Sequence, residues 1–150
     1  MSTHYQGSPQ DVLALDTFIK FTRASNTFEG RLFQLDLLEG LTQTQFGVLE
    51  TLFHLGSMCQ GEISAKLLKS TGNITLVLDN LEKQGLVRRE RQPDDRRSVI
   101  IHLTETGKQK IERIFPAMVK VISGELSVLT AEEQQTLGQL CRILGKKERN

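Results

Sequence analysis

Six consecutive residues, Ser70-Thr71-Gly72-Asn73-Ile74-Thr75, bring together short hydrogen-bonding side chains, one glycine and no carboxylate. Further on the chain turns basic at Arg88, Arg89 and Arg91, then sets two aspartates directly before two arginines in Asp94-Asp95-Arg96-Arg97. Neither pattern suits bond-breaking chemistry. No nucleophile stands beside a base, and Asp16, Glu29, Glu39 and Glu50 are not paired as acid–base catalysis would need. No group of His, Cys and carboxylate has metal-ligand spacing, so His54 and His102 read as structural or surface residues, and no cofactor or metal is expected. Both patterns suit a polyanion. Small polar side chains in the first turn of a helix can approach base edges and phosphates, and the helix dipole there favours an anion. A carboxylate can hold a guanidinium in one geometry. At the tip of a loop such an arginine can enter an A·T-rich minor groove, which is narrow and strongly negative. Arg88, Arg89 and Arg91 would then neutralise phosphates, although basic residues on a strand edge also serve simply to deter aggregation.

These residues need particular elements to position them. Apolar residues from Val12 through Leu15, Phe18, Phe28, Leu32 and Leu35 recur at helical steps, which predicts one long amphipathic helix from Asp11 to about Leu38. Thr42 with Gln45 forms a capping box for a second helix that closes at Gly56. A short third helix spans Gln60 to Leu68, and Ser70 caps a fourth that runs to Gln84, with Gly85 as its terminator. The period then changes to extended: residues 86–92 and the β-branched run Val99-Ile100-Ile101 make a two-stranded hairpin with a charged tip. A fifth helix opens after Thr104, with Pro116 expected to kink or divide it. Thr130 and Glu133 box the start of the last helix. The expectation is a mainly α fold with a small two-stranded β-wing. Its third and fourth helices and hairpin form a winged helix-turn-helix between about Gln60 and Thr104, and the partner is double-stranded DNA.

Charge distribution agrees with that reading. The net charge is only +1, but the stretch from Lys66 to Lys110 holds ten Lys/Arg against six Asp/Glu, which leaves the rest of the chain acidic. At 150 residues and 38% hydrophobic content, one domain with a real core is expected. No apolar run reaches the roughly 18 residues of a membrane span, and the polar N-terminus has no export pattern. Two distant cysteines, Cys59 and Cys141, do not form a disulfide framework, so a reducing cytoplasm is the simpler expectation. Cys59, at the start of the third helix, is a candidate redox residue; the alternative is a small buried thiol.

In order and spacing, three segments resemble the multiple antibiotic resistance regulator (MarR) family. They are Leu41-Thr42-Gln43-Thr44-Gln45-Phe46-Gly47-Val48-Leu49, the run from Ser70 through Leu81-Glu82-Lys83-Gln84-Gly85-Leu86-Val87-Arg88-Arg89, and Asp95-Arg96-Arg97 followed by Leu103-Thr104 and Gly107. The resemblance implies a homodimer, with 11–40 and 105–147 as dimerisation helices flanking a winged helix-turn-helix lobe at 42–104 within one domain of 1–150. It implies a regulator, expected to be a repressor, on a pseudo-palindromic operator. Carried over by position, Thr71, Gly72, Asn73 and Thr75 lie at the major groove and Arg97, steadied by Asp95, in the minor groove. Leu76 departs from the basic or polar residue common there, and a thymine methyl is the contact it suits. Phenolic compounds, quinones and oxidants are the effector classes implied. Family oxidant sensors often carry their cysteine in the first helix, which has none here. Phe46, Phe53, Met58, Phe115 and Met118 are candidates for an effector cleft, or for plain core. The rival reading is a winged-helix module for protein partners without specific DNA binding, which a shallow salt dependence would favour.

Overall fold

Side-chain caps fix where most of the helices begin. Thr42 Oγ1 accepts from the Gln45 N–H at 3.1 Å while Gln45 Oε1 accepts from the Thr42 N–H at 2.9 Å. Thr130 and Glu133 repeat the arrangement, and Ser70 Oγ accepts from the Asn73 N–H. Each cap satisfies N–H groups that the first helical turn leaves without partners. The computed structural model describes residues 4–34, 36–92 and 99–148. Along them run α1 (Pro9–Gln34), α2 (Gln43–Leu55), β1 (Met58–Cys59), α3 (Gln60–Leu67), α4 (Thr71–Lys83), β2 (Val87–Arg91), β3 (Val99–Leu103), α5 (Glu105–Leu126) and α6 (Ala131–Lys146).

Three expectations change. The first helix ends at Gln34, short of Leu38, and residues 37–40 form a turn that is left-handed at Glu39 and Gly40 (φ 48° and 82°). Leu38 and Leu41 are buried all the same, so the apolar period runs on through a turn that is not helical. Arg113 fixes that turn by donating from Nε and Nη2 to both Glu39 carboxylate oxygens at 2.6–3.1 Å. The wing, expected as two strands, belongs to a three-stranded antiparallel sheet in the order β1-β3-β2. Met58 pairs with Ile101 and Cys59 with Ile100, so His102 lies on the central strand. Of the two outcomes expected at Pro116, division does not occur: α5 is helical on both sides of it.

The chain splits into two compact units, Asp36–Met118 and Met1–Leu35 with Val119–Asn150. The first unit holds a conventional core: Leu49 of α2, Ile63 of α3, Ile74, Leu78 and Leu81 of α4, Val87, Ile101 and Ile111 are all fully or almost fully buried. Phe46, Met58 and Met118 belong to the same buried set, and His54 stacks edge-on with both Phe53 and Phe115 at 5.1 Å. The second unit is different. Arg31 Nη1 donates to Glu125 at 2.8 Å, yet among its described residues only Leu32 is a buried apolar side chain, and α6 buries none. Leu13, Phe18, Phe21, Leu137, Leu140 and Leu144 stay exposed. Phe21, Phe28, Ile122, Leu126 and Leu137 surround an apolar cavity of about 540 Å³ with Cys141 at its wall.

Among the described residues, three carboxylates hold their pKa below the ordinary 4.5. Glu39 does so through the Arg113 hydrogen bond, Glu62 through the backbone N–H and then the thiol of Cys59, and Glu90 through Arg88. A depressed folded-state pKa gives stability that is fully present above the unfolded value and fades as pH falls through the folded one. The urea midpoint is therefore expected to hold from neutrality to about pH 5 and to fall by about pH 3. A midpoint that rises with acid would contradict these pairings.

Candidate nucleic-acid interface

The helix-turn-helix is set by its turn. After Leu67 the chain enters the left-handed region at Leu68 (φ 52°, ψ 39°), and the Lys69 N–H returns to the Ser64 carbonyl at 3.1 Å. Ser70 then caps α4. Ile74, Leu78 and Leu81 anchor the inner face of α4 in the core, which leaves Thr71, Gly72, Asn73, Thr75 and Leu76 exposed on the outer face. A Cβ on Gly72 would meet nothing within 4 Å, so no internal packing requires glycine and the space beside it is open. The structure thus brings together the residues Ser70 to Leu76 that the sequence singled out.

One contact on this face had no signal in the sequence. Gln60, the first residue of α3, donates from Nε2 to the Thr75 hydroxyl at 2.5 Å and to the Thr71 carbonyl at 3.3 Å. Thr75 itself donates its hydroxyl proton to that carbonyl at 2.9 Å. The first turns of α3 and α4 are therefore tied across the turn by one amide.

The arginines of β2 divide in role. Arg88 is exposed and its Nη1 lies 2.7 Å from Glu90 Oε2. The same Glu90 oxygen lies 3.1 Å from His102 Nε2, and His102 Nδ1 is 2.8 Å from Ser57 Oγ. Arg89 is turned onto α4. Its Nη1 is 2.7 Å from Asp79 and 2.8 Å from Glu82, its Nη2 donates to the Thr75 carbonyl at 3.4 Å, and its backbone N–H donates to Glu82 at 3.0 Å. Burial works against its charge, but the hydrogen bonds to Asp79 and Glu82 outweigh that and raise its pKa further. Arg89 is placed to hold β2 to α4. Arg89→Ala is expected to lower the melting temperature by about 2–4 °C, and an unchanged melt would mean that solvent already screens the cluster.

Asp95, Arg96 and Arg97 lie outside the described residues. Cys59 is half-buried, pairs with Ile100, and donates its N–H to Glu62 Oε2 at 2.8 Å. No group of three or more His, Cys, Asp or Glu that could hold a metal occurs among the described residues, and no single helix there is long and apolar enough to cross a membrane.

Comparison with known proteins meets this geometry at the same residues. The MarR family model matches residues 41–99. The HTH-type transcriptional regulators YkoM and MhqR of Bacillus subtilis (strain 168) are each 33% identical over 132 residues, 88% of this chain and 86% and 91% of theirs. The chain belongs to the MarR family. A cysteine-to-serine mutant of Escherichia coli MarR, crystallised with operator DNA, superposes with a TM-score of 0.72 at 26% identity over 85% of this chain and 95% of that one. As a MarR family member the chain is a DNA-binding transcriptional regulator and not an enzyme. The MarR match spans both the α4 face and the strand that Arg89 ties to it. Gln60, Asp79, Glu82 and Glu90 fall within it as well, none of them marked by the sequence as functional.

Proposed function

We propose that the protein is a homodimeric repressor that binds a pseudo-palindromic operator, with Ser70, Thr71, Gly72, Asn73, Thr75 and Leu76 at the major groove. The observation that carries this reading is the outer face of α4, where small polar residues stand exposed on a helix whose inner side is fully buried. Such a helix can enter a groove without rearrangement. Arg88 and Arg96 contribute charge toward phosphates, and Arg97, braced by Asp95, enters the minor groove. Arg89 serves by holding β2 to α4.

Dimerisation through 11–40 and 105–147 is supported by the second unit, whose helices leave large apolar residues exposed. A second copy would remove from water a surface that one copy leaves wet. The effector is read as a small phenolic compound, a quinone or an oxidant, the last through Cys59, and the setting as the cytoplasm.

Asn73→Ala tests the direct reading. It is expected to flatten the preference for one base pair by about tenfold while leaving non-specific binding in place. A loss that is uniform across sequences would mean that Asn73 touches only phosphate. Across a salt titration the affinity should fall steeply, because phosphate neutralisation releases counterions; a shallow slope would favour a protein-binding module instead.

A further inference from the structure

The amide of Gln60 accounts for more than the seating of α3. Its Nε2 has two protons, and both are used, one on the Thr75 hydroxyl and one on the Thr71 carbonyl. The opposite amide orientation would set Oε1 against the Thr71 carbonyl oxygen, two acceptors face to face, so the network itself fixes which way Gln60 points. Thr75 meanwhile gives its only hydroxyl proton to the Thr71 carbonyl. The donor that would have read a base acceptor is spent inside the protein, and one of its lone pairs is filled by Gln60. What Thr75 has left for a ligand is chiefly its methyl group.

The next residue continues that character. Leu76 is 64% exposed on a helix whose Ile74, Leu78 and Leu81 are fully buried. Gly72 lies one turn before it on the same face, without a side chain and with open space around it, so nothing there screens Leu76. In the major groove the apolar feature of a base pair is the C5-methyl of thymine. We infer that Gln60 is a specificity-determining residue: by donating into a lone pair of the Thr75 hydroxyl, whose proton already goes to the Thr71 carbonyl, it leaves Thr75 and Leu76 as an apolar pair that reads thymine methyl groups in each half-site. The inference rests on the DNA-reading role proposed above for α4.

The experiment begins with sites selected by the full-length protein from random DNA. Thymines of the selected site are then replaced one at a time by deoxyuridine, which keeps every hydrogen-bonding group and lacks only the methyl. At the thymines facing residues 75 and 76, each replacement is expected to weaken binding about fourfold, the effect of one lost methyl contact. Leu76→Ala should abolish the sensitivity at its thymine. Thr75→Val should retain it, since an isosteric methyl replaces a hydroxyl that has no outward task. Gln60→Ala empties the lone pair that its amide fills and leaves the hydroxyl proton on the Thr71 carbonyl, so reselection should replace the thymine facing Thr75 by a base that offers a donor, the amino group of adenine or cytosine, and the change should vanish in the Thr75→Val background.

If Gln60→Ala fails to fold, Thr75→Ser carries the test: it keeps the hydroxyl, removes the methyl, and should lose deoxyuridine sensitivity at one position. A selected operator indifferent to every deoxyuridine replacement overturns the methyl reading and leaves the DNA-reading role intact. A Gln60→Ala protein with an unchanged consensus and uniformly weaker binding overturns the role of Gln60. Enrichment of no sequence at all overturns the role of α4 and this inference with it.

Discussion

Gly107→Ala is expected to lower the melting temperature by about 6 °C, against the usual benefit of alanine in a helix. Gly107 sits in the first turn of α5 and is buried. Its N–H donates to Thr104 Oγ1 at 3.0 Å, and that hydroxyl donates in turn to the Gly85 carbonyl at 2.6 Å. A Cβ added at 107 would run into the Leu86 carbonyl oxygen and lie 2.8 Å from Leu103 Cδ1. The Leu86 carbonyl cannot easily give way, because it accepts from the Thr104 N–H at 3.1 Å and follows left-handed Gly85 (φ 70°). Overpacking of this kind costs about 3 kcal/mol, and the propensity gain of alanine returns only about 1 kcal/mol. The clash wins. Thermal denaturation followed by circular dichroism measures the result; a melting temperature that rises would mean that α5 does not abut the chain between α4 and β2.

The second large effect concerns binding. Arg97→Ala is expected to weaken operator affinity by about 100-fold at fixed salt, with the melting temperature unchanged. One charge-assisted contact is worth about 1.5 kcal/mol at the low end, a dimer would place two, and about 1.4 kcal/mol is a factor of ten. Asp95→Ala should cost less, since it would remove only the proposed brace and keep the Arg97 charge. A gel shift in which Arg97→Ala binds as the parent does would remove the wing from the mechanism.

The elements that the sequence made legible are those with local causes. Thr42 with Gln45, Ser70, and Thr130 with Glu133 act within one turn of themselves, and each cap stands where its spacing predicts. Ile74, Leu78 and Leu81 carry the inner face of α4 in one period. Features that depend on distant partners were not legible. Met58-Cys59 is too short to show alternation and is a strand only because β3 pairs with it. The turn at 37–40 is shaped by left-handed Glu39 and Gly40 with Arg113 on the Glu39 carboxylate, while the apolar period of α1 continues into it. Arg88, Arg89 and Arg91 look alike in a basic run, yet Asp79 and Glu82 draw Arg89 onto α4. Gln60 was invisible for a related reason, because its meaning comes from Thr75 across a turn.

Those cross-turn ties matter because a reader of DNA has to present its side chains in one arrangement before it docks. Gln60 holds the front of α4, Arg89 its middle and the adjacent strand, and Ser70 its first turn. In the proposed dimer the exposed apolar helices of the other unit would give two such readers a means to act together. Selection of bound sites from random DNA tests that combination most directly. Two inverted half-sites whose centres lie about ten base pairs apart, one helical turn, are expected to be enriched, as a two-fold dimer requires. Enrichment of a single unrepeated motif, or of two half-sites in direct repeat, would contradict that expectation.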